Sequence, residues 1–125
     1  MAEISKEHEE NTVLVWREDA IATVVLNRPE KLNAFNLAMW RRLGDVMLEL
    51  NADDSLRCIV IRGAGGRAFA AGADIAEFQE VRFSSSQAME YAKPMDRAAE
   101  AIRDCPHPTL AFIEGACMGG GLELA

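Results

Sequence analysis

The feature that most constrains the fold is an amphipathic segment, residues 36–51, between two short segments rich in β-branched residues. Apolar residues recur along it at spacings of three and four, which predicts a helix with one buried face, and Asn36 can cap its first turn. Residues 21–26 and 56–61, on either side, have the composition of β-strands. The order strand, helix, strand predicts a right-handed crossover that joins parallel neighbours in one sheet. We therefore predict an α/β protein.

Further strands and loops are predicted around this unit. Residues 11–16 form a strand that pairs with residues 21–26 as an antiparallel hairpin, because only a short turn separates them. Residues 63–74 are rich in glycine and alanine and are predicted to form a long loop, whereas residues 109–113 form a short buried strand. A last helix begins after a second glycine-rich segment, residues 115–121. That helix is too short at Ala125 to be stable by itself.

The longest predicted helix opens at residues 84–86 and runs toward Asp104. Pro94 lies inside it, so we expect a kink or a break there, because proline lacks the N–H that a helix interior needs. Trp16 and Trp40 are expected in the core or at its edge. The packing face of the helix is predicted to consist of Ala98, Ala99, Ala101 and Ile102.

Charge and composition exclude several classes of function. The formal net charge is −7, which argues against a large surface for nucleic-acid phosphates. No apolar stretch approaches the ~20 residues that a membrane-spanning helix needs. Residues 1–10 are acidic and polar, unlike a signal or transit peptide, so we predict a flexible tail and a cytoplasmic protein.

The cysteines and histidines indicate neither a disulfide framework nor a metal site. The three cysteines are widely spaced, and we expect small, buried or half-buried thiols at Cys58, Cys105 and Cys117. Cys117 with His107 would form a nucleophile and its base only if the fold brought them together, and a turn histidine beside a structural thiol is the simpler interpretation. We predict no metal.

The two glycine-rich segments are the candidates for chemistry. Glycine allows the backbone to approach a ligand, and exposed N–H groups in such loops point at anions or at a carbonyl oxygen that gains charge. Glu123 follows the second segment and would lie in the first turn of a helix, where a carboxylate can act as a general acid or base. Glycines in turns and an acidic helix cap are common and explain the same spacing, so the pattern alone does not establish catalysis. Residues 63–68 also fit a dinucleotide-binding fingerprint, which requires a helix that opens at the motif. The chain instead continues through residues 69–72, another flexible stretch, so we do not predict a nicotinamide or flavin site.

Three segments together resemble the enoyl-CoA hydratase/isomerase (crotonase) family. Residues 26–34, LNRPEKLNA, are similar to an asparagine–arginine–proline segment of that family. Residues 69–75, FAAGADI, resemble its AGAD loop, and residues 115–125, GACMGGGLELA, resemble its triple-glycine segment. They occur in the family's order and span most of the chain.

This resemblance implies the first half of a ββα spiral, an incomplete domain over residues 11–125. The reaction it implies is hydration or isomerisation of a 2-enoyl-CoA, in fatty-acid or related acyl-CoA metabolism, through a thioester enolate held in an oxyanion hole. The N–H groups of Ala73 and Gly120 would form that hole, and Glu123 would be an acid/base residue. No cofactor is expected beyond the coenzyme A of the substrate. The family also implies a homo-oligomer, a trimer or a pair of trimers.

The resemblance further implies which residues border coenzyme A, and where this chain departs from the family. Ala76 replaces a position that is often basic in the family, which could weaken contacts to phosphates. A second glutamate of family hydratases would lie beyond Ala125, so hydratase and isomerase remain open, and we expect the isolated chain to be inactive. A non-catalytic short form or assembly module is the alternative. The residues expected to contact the coenzyme or acyl group are Lys31, Asn33, Ala34, Ala71, Ala73, Asp74, Ile75, Ala76 and Gly120.

Overall fold

A computed structural model describes residues 11–80 and 85–125. The predicted acidic tail, residues 1–10, and Ser84 lie outside this range. The elements of the described part are strands β1 (Val13–Glu18), β2 (Ile21–Leu26), β3 (Cys58–Gly63), β4 (Ala68–Ala70), β5 (Thr109–Phe112) and β6 (Ala116–Cys117), and helices α1 (Leu37–Asn51), α2 (Ile75–Glu80), α3 (Ser85–Arg103) and α4 (Gly120–Leu124), with a 3-10 turn at Pro29–Lys31.

The main sheet has four strands in the order β1-β2-β3-β5. Strands β1 and β2 are antiparallel, whereas β2 with β3 and β3 with β5 are parallel. The predicted hairpin and the predicted parallel crossover are thus confirmed. A second, two-stranded parallel sheet consists of β4 and β6. It lies within the two glycine-rich segments, where no strand was predicted.

Helix α1 covers one face of the main sheet. The Asn36 side chain accepts a hydrogen bond from the Met39 N–H at 2.8 Å, which confirms the predicted cap. Because side chains alternate along a strand, every second residue of β2 and β3 meets the helix. The core buried between helix and sheet includes Ala22, Val24, Leu26, Met39, Trp40, Leu43, Val46, Met47, Leu50, Ile59 and Ile61.

Helix α3 packs against α1 and continues through Pro94. Of the predicted kink or break, the break is therefore wrong, and the kink stays a prediction. The second half of the helix is anchored by Ala98 and Ala101, which are buried in the core. This burial offsets the hydrogen bond that the proline cannot donate. Ala99 is exposed, contrary to prediction, whereas Ile102 packs against the core as predicted.

The outer face of the main sheet corrects two further predictions. Trp16 is 70% exposed and belongs to neither core nor core edge. Strand β5 is largely exposed, with Leu110 and Phe112 about half accessible, although a buried strand was predicted. Trp16 lies in β1, and β1 and β5 are the edge strands of the sheet. Helix α1 covers only the opposite face. In the described ranges, no helix is long and apolar enough to span a membrane.

Candidate active site

A compact loop that precedes α1 is organised by the buried side chain of Asn33. Its amide nitrogen donates to the carbonyl oxygens of Ala64 and Ala68 at 3.0 and 2.9 Å, and its oxygen accepts from the Arg28 N–H at 2.9 Å. Asn33 has a φ of 56°, a left-handed conformation that asparagine tolerates better than most residues. Asn33 is fully buried, and its hydrogen bonds join this loop to the segment after β3.

Arg28 connects the same loop to Asp74. One guanidinium nitrogen donates to the Ala34 carbonyl at 2.6 Å, and the other to the Asp74 carboxylate at 2.9 Å. The two charged side chains are only 13% and 14% exposed. Burial tends to raise the pKa of Asp74, but the hydrogen bond from Arg28, the N–H groups of Glu77 and Ala76 and the charge of Arg28 together lower it below 3.8. Asp74 is therefore a carboxylate at neutral pH.

The backbone of Ala73 is bracketed by Phe35. The Phe35 N–H donates to the Gly72 carbonyl and the Asp74 N–H donates to the Phe35 carbonyl, both at 2.8 Å. In such a parallel bridge the bracketed residue directs its own N–H away from the partner segment, because successive peptide groups alternate in direction. Ala73 is exposed, and its N–H has no acceptor among the described residues.

The second segment reaches the same region through close backbone contacts. The Met118 N–H donates to the carbonyl of Ala70, the last residue of β4, at 3.0 Å. A methyl group on Gly121 would lie 2.3 Å from the Ala70 oxygen, so only glycine fits there. At the start of α4 the N–H groups of Gly121, Leu122 and Glu123 all have acceptors, whereas that of Gly120 has none in the part of the chain described.

The two segments meet at their glycines and share an aromatic support. A methyl group on Gly119 would lie 3.7 Å from the Gly72 Cα. Beneath them, the rings of Phe35 and Trp40 stack with centroids 4.1 Å apart. The Trp40 ring also lies 3.5 Å from the position of a Gly120 Cβ. The stacked pair therefore connects the two segments: the Phe35 backbone bonds to Gly72 and Asp74, and the Trp40 ring lies beside Gly120.

Glu123 lies in the first turn of α4, as predicted, and is exposed. It lines a cleft of about 200 Å³ together with Gly120, Trp40 and side chains of α3, including Met95 and Ile102. The cleft is mainly apolar apart from Glu123 and Arg103. Ala73 is not among the residues that line it, so this cleft joins only one of the two N–H groups to the carboxylate.

A family model described as enoyl-CoA hydratase/isomerase matches residues 21–125. The chain belongs to the enoyl-CoA hydratase/isomerase family. A solved enoyl-CoA hydratase/carnithine racemase from Magnetospirillum magneticum is similar in structure, with a TM-score of 0.88 and 49% identity over 91% of this chain. Similar curated relatives are a crotonyl-CoA hydratase of Syntrophomonas wolfei and a mouse mitochondrial Delta(3,5)-Delta(2,4)-dienoyl-CoA isomerase, 33% and 31% identical over 90% and 98% of this chain.

This chain spans less than half the length of these members of the enoyl-CoA hydratase/isomerase family. It covers 43% of the bacterial hydratase, 40% of the mouse isomerase and 43% of the solved structure. The solved structures confirm the crotonase-like α/β fold class. The matched relatives carry out different reactions by name, so membership of the family does not select one of them.

Among the residues that the family resemblance assigned to coenzyme A, Asn33 directs its side chain inward. All three of its side-chain hydrogen bonds are made inside the protein, and its role at the coenzyme stays a prediction. Lys31 is exposed on the 3-10 turn, and Ile75 and Ala76 are exposed at the start of α2. Their roles stay predictions, as do those of the half-buried alanines Ala34 and Ala71.

The side chains that hold these segments carry no local sequence signal of their role. Arg28 stands within a family-like motif, and Phe35 directly follows that motif. Glu77 accepts hydrogen bonds from the Leu37 N–H and the Tyr91 hydroxyl, both at 2.7 Å, and so links α1, α2 and α3. Burial, and then this hydrogen bond to Glu77, raise the pKa of Tyr91 above 10.0. One signal in the sequence could have indicated the ion pair: Arg28 and Asp74 carry opposite charges and lie in two of the family-like segments.

The alternative sites find no support in the geometry. The dinucleotide fingerprint at residues 63–68 leads into β4 and not into a helix. The buried Nε2 atom of His107 has no hydrogen-bond partner among the described residues, so Cys117 does not donate to it. All three cysteines are half-buried free thiols, as predicted. Across residues 11–80 and 85–125, no group of three or more potential metal ligands comes together.

Proposed function

We propose that this protein hydrates or isomerises a 2-enoyl-CoA through a thioester enolate. The proposal concerns its longest natural form that contains these 125 residues, which is called the parent protein below. One observation carries the proposal. Two backbone N–H groups without acceptors in the described chain, at Ala73 and Gly120, lie on adjoining segments, and the exposed carboxylate of Glu123 follows within one helical turn.

The two N–H groups would act on the thioester carbonyl. Negative charge grows on that oxygen as the enolate forms, and donors already held in place stabilise it without reorganisation. Loss of one such donor costs about 3 kcal/mol of transition-state stabilisation in other enzymes. Gly120 brings no side chain to this position, so an acyl group can approach the N–H closely.

Glu123 would move the proton. In hydration the water oxygen bonds to C3 of the enoyl group while C2 gains a proton, so an acid/base residue either activates the water or supplies the proton. In isomerisation a base removes a proton from one carbon and returns it to another. A well-placed carboxylate contributes typically 10²–10⁴-fold to such a step.

The coenzyme part of the substrate would lie along the loop at Lys31 and the exposed start of α2. The Lys31 ammonium supplies one positive charge for phosphates, whereas Ala76 supplies none. We extend the proposal to a cytoplasmic enzyme of acyl-CoA metabolism that assembles as a trimer or a pair of trimers. The family resemblance supports the metabolic role and the assembly.

A non-catalytic short form is the second candidate, because this chain spans only 40–43% of the two curated relatives named above. The 125-residue chain by itself is expected to show no turnover of crotonyl-CoA. Brisk turnover by that purified chain would contradict this expectation.

The proposal is tested by Glu123→Gln in the parent protein. We expect kcat for crotonyl-CoA hydration, or for isomerisation of a 3-enoyl-CoA, to fall by about 10²–10⁴-fold. The melting temperature should not change, because Glu123 is exposed. Glu114→Gln, an exposed acid in the loop before β6, is the matched control and should keep the wild-type rate. A wild-type rate for Glu123→Gln would refute the assigned role.

A further inference from the structure

The direction of the Ala73 N–H depends on a segment with little regular structure. Gly72 before it has a φ of 109°, and α2 begins only at Ile75. The two hydrogen bonds with Phe35 set the direction of the Ala73 N–H. This direction therefore depends on the contacts that keep the Phe35 segment and the Ala73 segment in register.

A single guanidinium holds both. Ala34, whose carbonyl accepts from Arg28 at 2.6 Å, directly precedes Phe35. Asp74, whose carboxylate accepts from Arg28 at 2.9 Å, directly follows Ala73. The second oxygen of Asp74 accepts from the Ala76 N–H at 3.0 Å and so fixes the start of α2. Arg28 thus links the segment that contains Phe35 to the segment that contains Ala73, the two segments of the parallel bridge.

From this arrangement we infer that Arg28 is a positioning residue, which aims the Ala73 N–H by tying Ala34 to Asp74. The inference rests on the proposed function, since it gives Ala73 the task of an oxyanion donor. The planar fork of arginine reaches two acceptors in fixed directions, whereas lysine has one compact charged group. A displacement of about 1 Å of a catalytic group can cost about 10²-fold in rate.

The test uses Arg28→Met and Arg28→Lys in the parent protein. Arg97→Met is the matched control, because Arg97 pairs with Asp45 at 2.7 Å on the surface, with side chains 45% and 60% exposed. The first readout is the absorption band of bound hexa-2,4-dienoyl-CoA, which moves to longer wavelength when donors polarise its carbonyl. The second is kcat and KM for crotonyl-CoA.

We expect Arg28→Met to lose at least half of the red shift and to lower kcat by about 10–100-fold, with KM within about threefold. Arg28→Lys should recover the melting temperature better than the red shift, since it can pair with Asp74 without also holding Ala34. Arg97→Met should retain both readouts. A stability role alone would lower the melting temperature and leave the red shift of the folded fraction intact.

The outcomes separate the two proposals. If the wild-type protein binds the dienoyl-CoA without a red shift, the proposed function and this inference both fail. If the wild type shows the shift and both folded Arg28 variants retain it, only the role of Arg28 is overturned. Should Arg28→Met not fold, Asp74→Asn removes the same ion pair with little change of shape. A full red shift in that variant would likewise overturn the inference.

Discussion

The two segments that carry the unpaired N–H groups are held by opposite means. The Ala73 segment is held by side chains: a charged pair, a buried amide and a helix cap. The Gly120 segment is held by close backbone contacts that only glycine permits. Methyl groups on Gly115 and Gly121 would lie 2.1 and 2.3 Å from backbone oxygens. Substitutions should therefore weaken the first segment by degrees and disrupt the second outright.

The largest effect is expected from Gly121→Ala. The added methyl group would overlap the carbonyl oxygen and the Cβ of Ala70, so the β4 backbone would have to move. We expect a loss of more than about 3 kcal/mol in the free energy of unfolding and no measurable turnover. Urea denaturation of the parent protein would measure the loss.

Gly66→Ala separates crowding from backbone strain. Nothing lies within 4 Å of a methyl group there, but Gly66 has a φ of 72°. The cost should be only the strain of a left-handed alanine, about 1–2 kcal/mol. Equal losses in the two variants would show that the Gly120 segment is not held by close contact.

Asn33→Asp should have an intermediate effect. Aspartate keeps an acceptor for the Arg28 N–H and tolerates the left-handed conformation, but it replaces two donors by an oxygen that faces the carbonyls of Ala64 and Ala68. We expect a loss of about 2–3 kcal/mol in stability. Asn36→Asp, which keeps its capping acceptor, is the control and should change stability little. An unaltered midpoint for Asn33→Asp would show that the buried donors are not needed.

The smallest effect concerns the pH dependence of the Ala73 segment. Because the pKa of Asp74 is lowered in the folded protein, its charge stabilises the fold above pH 3.8, and this contribution is lost as the pH falls through the lower folded value. Asp74→Asn should be less stable than wild type by about 1 kcal/mol near pH 7, and the difference should shrink as the pH falls below 3.8.

The difference between the wild type and Asp74→Asn isolates the titration of Asp74. Hydrogen bonds from Ser55 and Arg103 also lower the pKa of Asp53 and of Asp104, but those carboxyl groups titrate in both proteins. The measurement is the urea midpoint from pH 3 to pH 7. A difference that does not vary with pH would show that the charge of Asp74 does not hold this segment.

Much of the fold was predictable because its signals are local. Apolar spacing and the Asn36 cap gave α1 its bounds, and β-branched composition located β2 residue by residue. The predicted strands at residues 11–16 and 56–61 were each displaced by two residues from β1 and β3, since the ends of strands depend on pairing. Strands β4 and β6, each of two or three residues, became strands only by pairing with each other.

By itself, the sequence determined the α/β class, the order of the main elements and the family, because period, caps and motifs are written in neighbouring residues. It also marked Ala73, Gly120 and Glu123 as candidates. Only the tertiary structure decided that Asn33 faces inward and that Arg28 joins Ala34 to Asp74, which lies 46 positions after Arg28. Hydrogen-bond partners and burial arise from contacts between distant segments, and no local pattern encodes them.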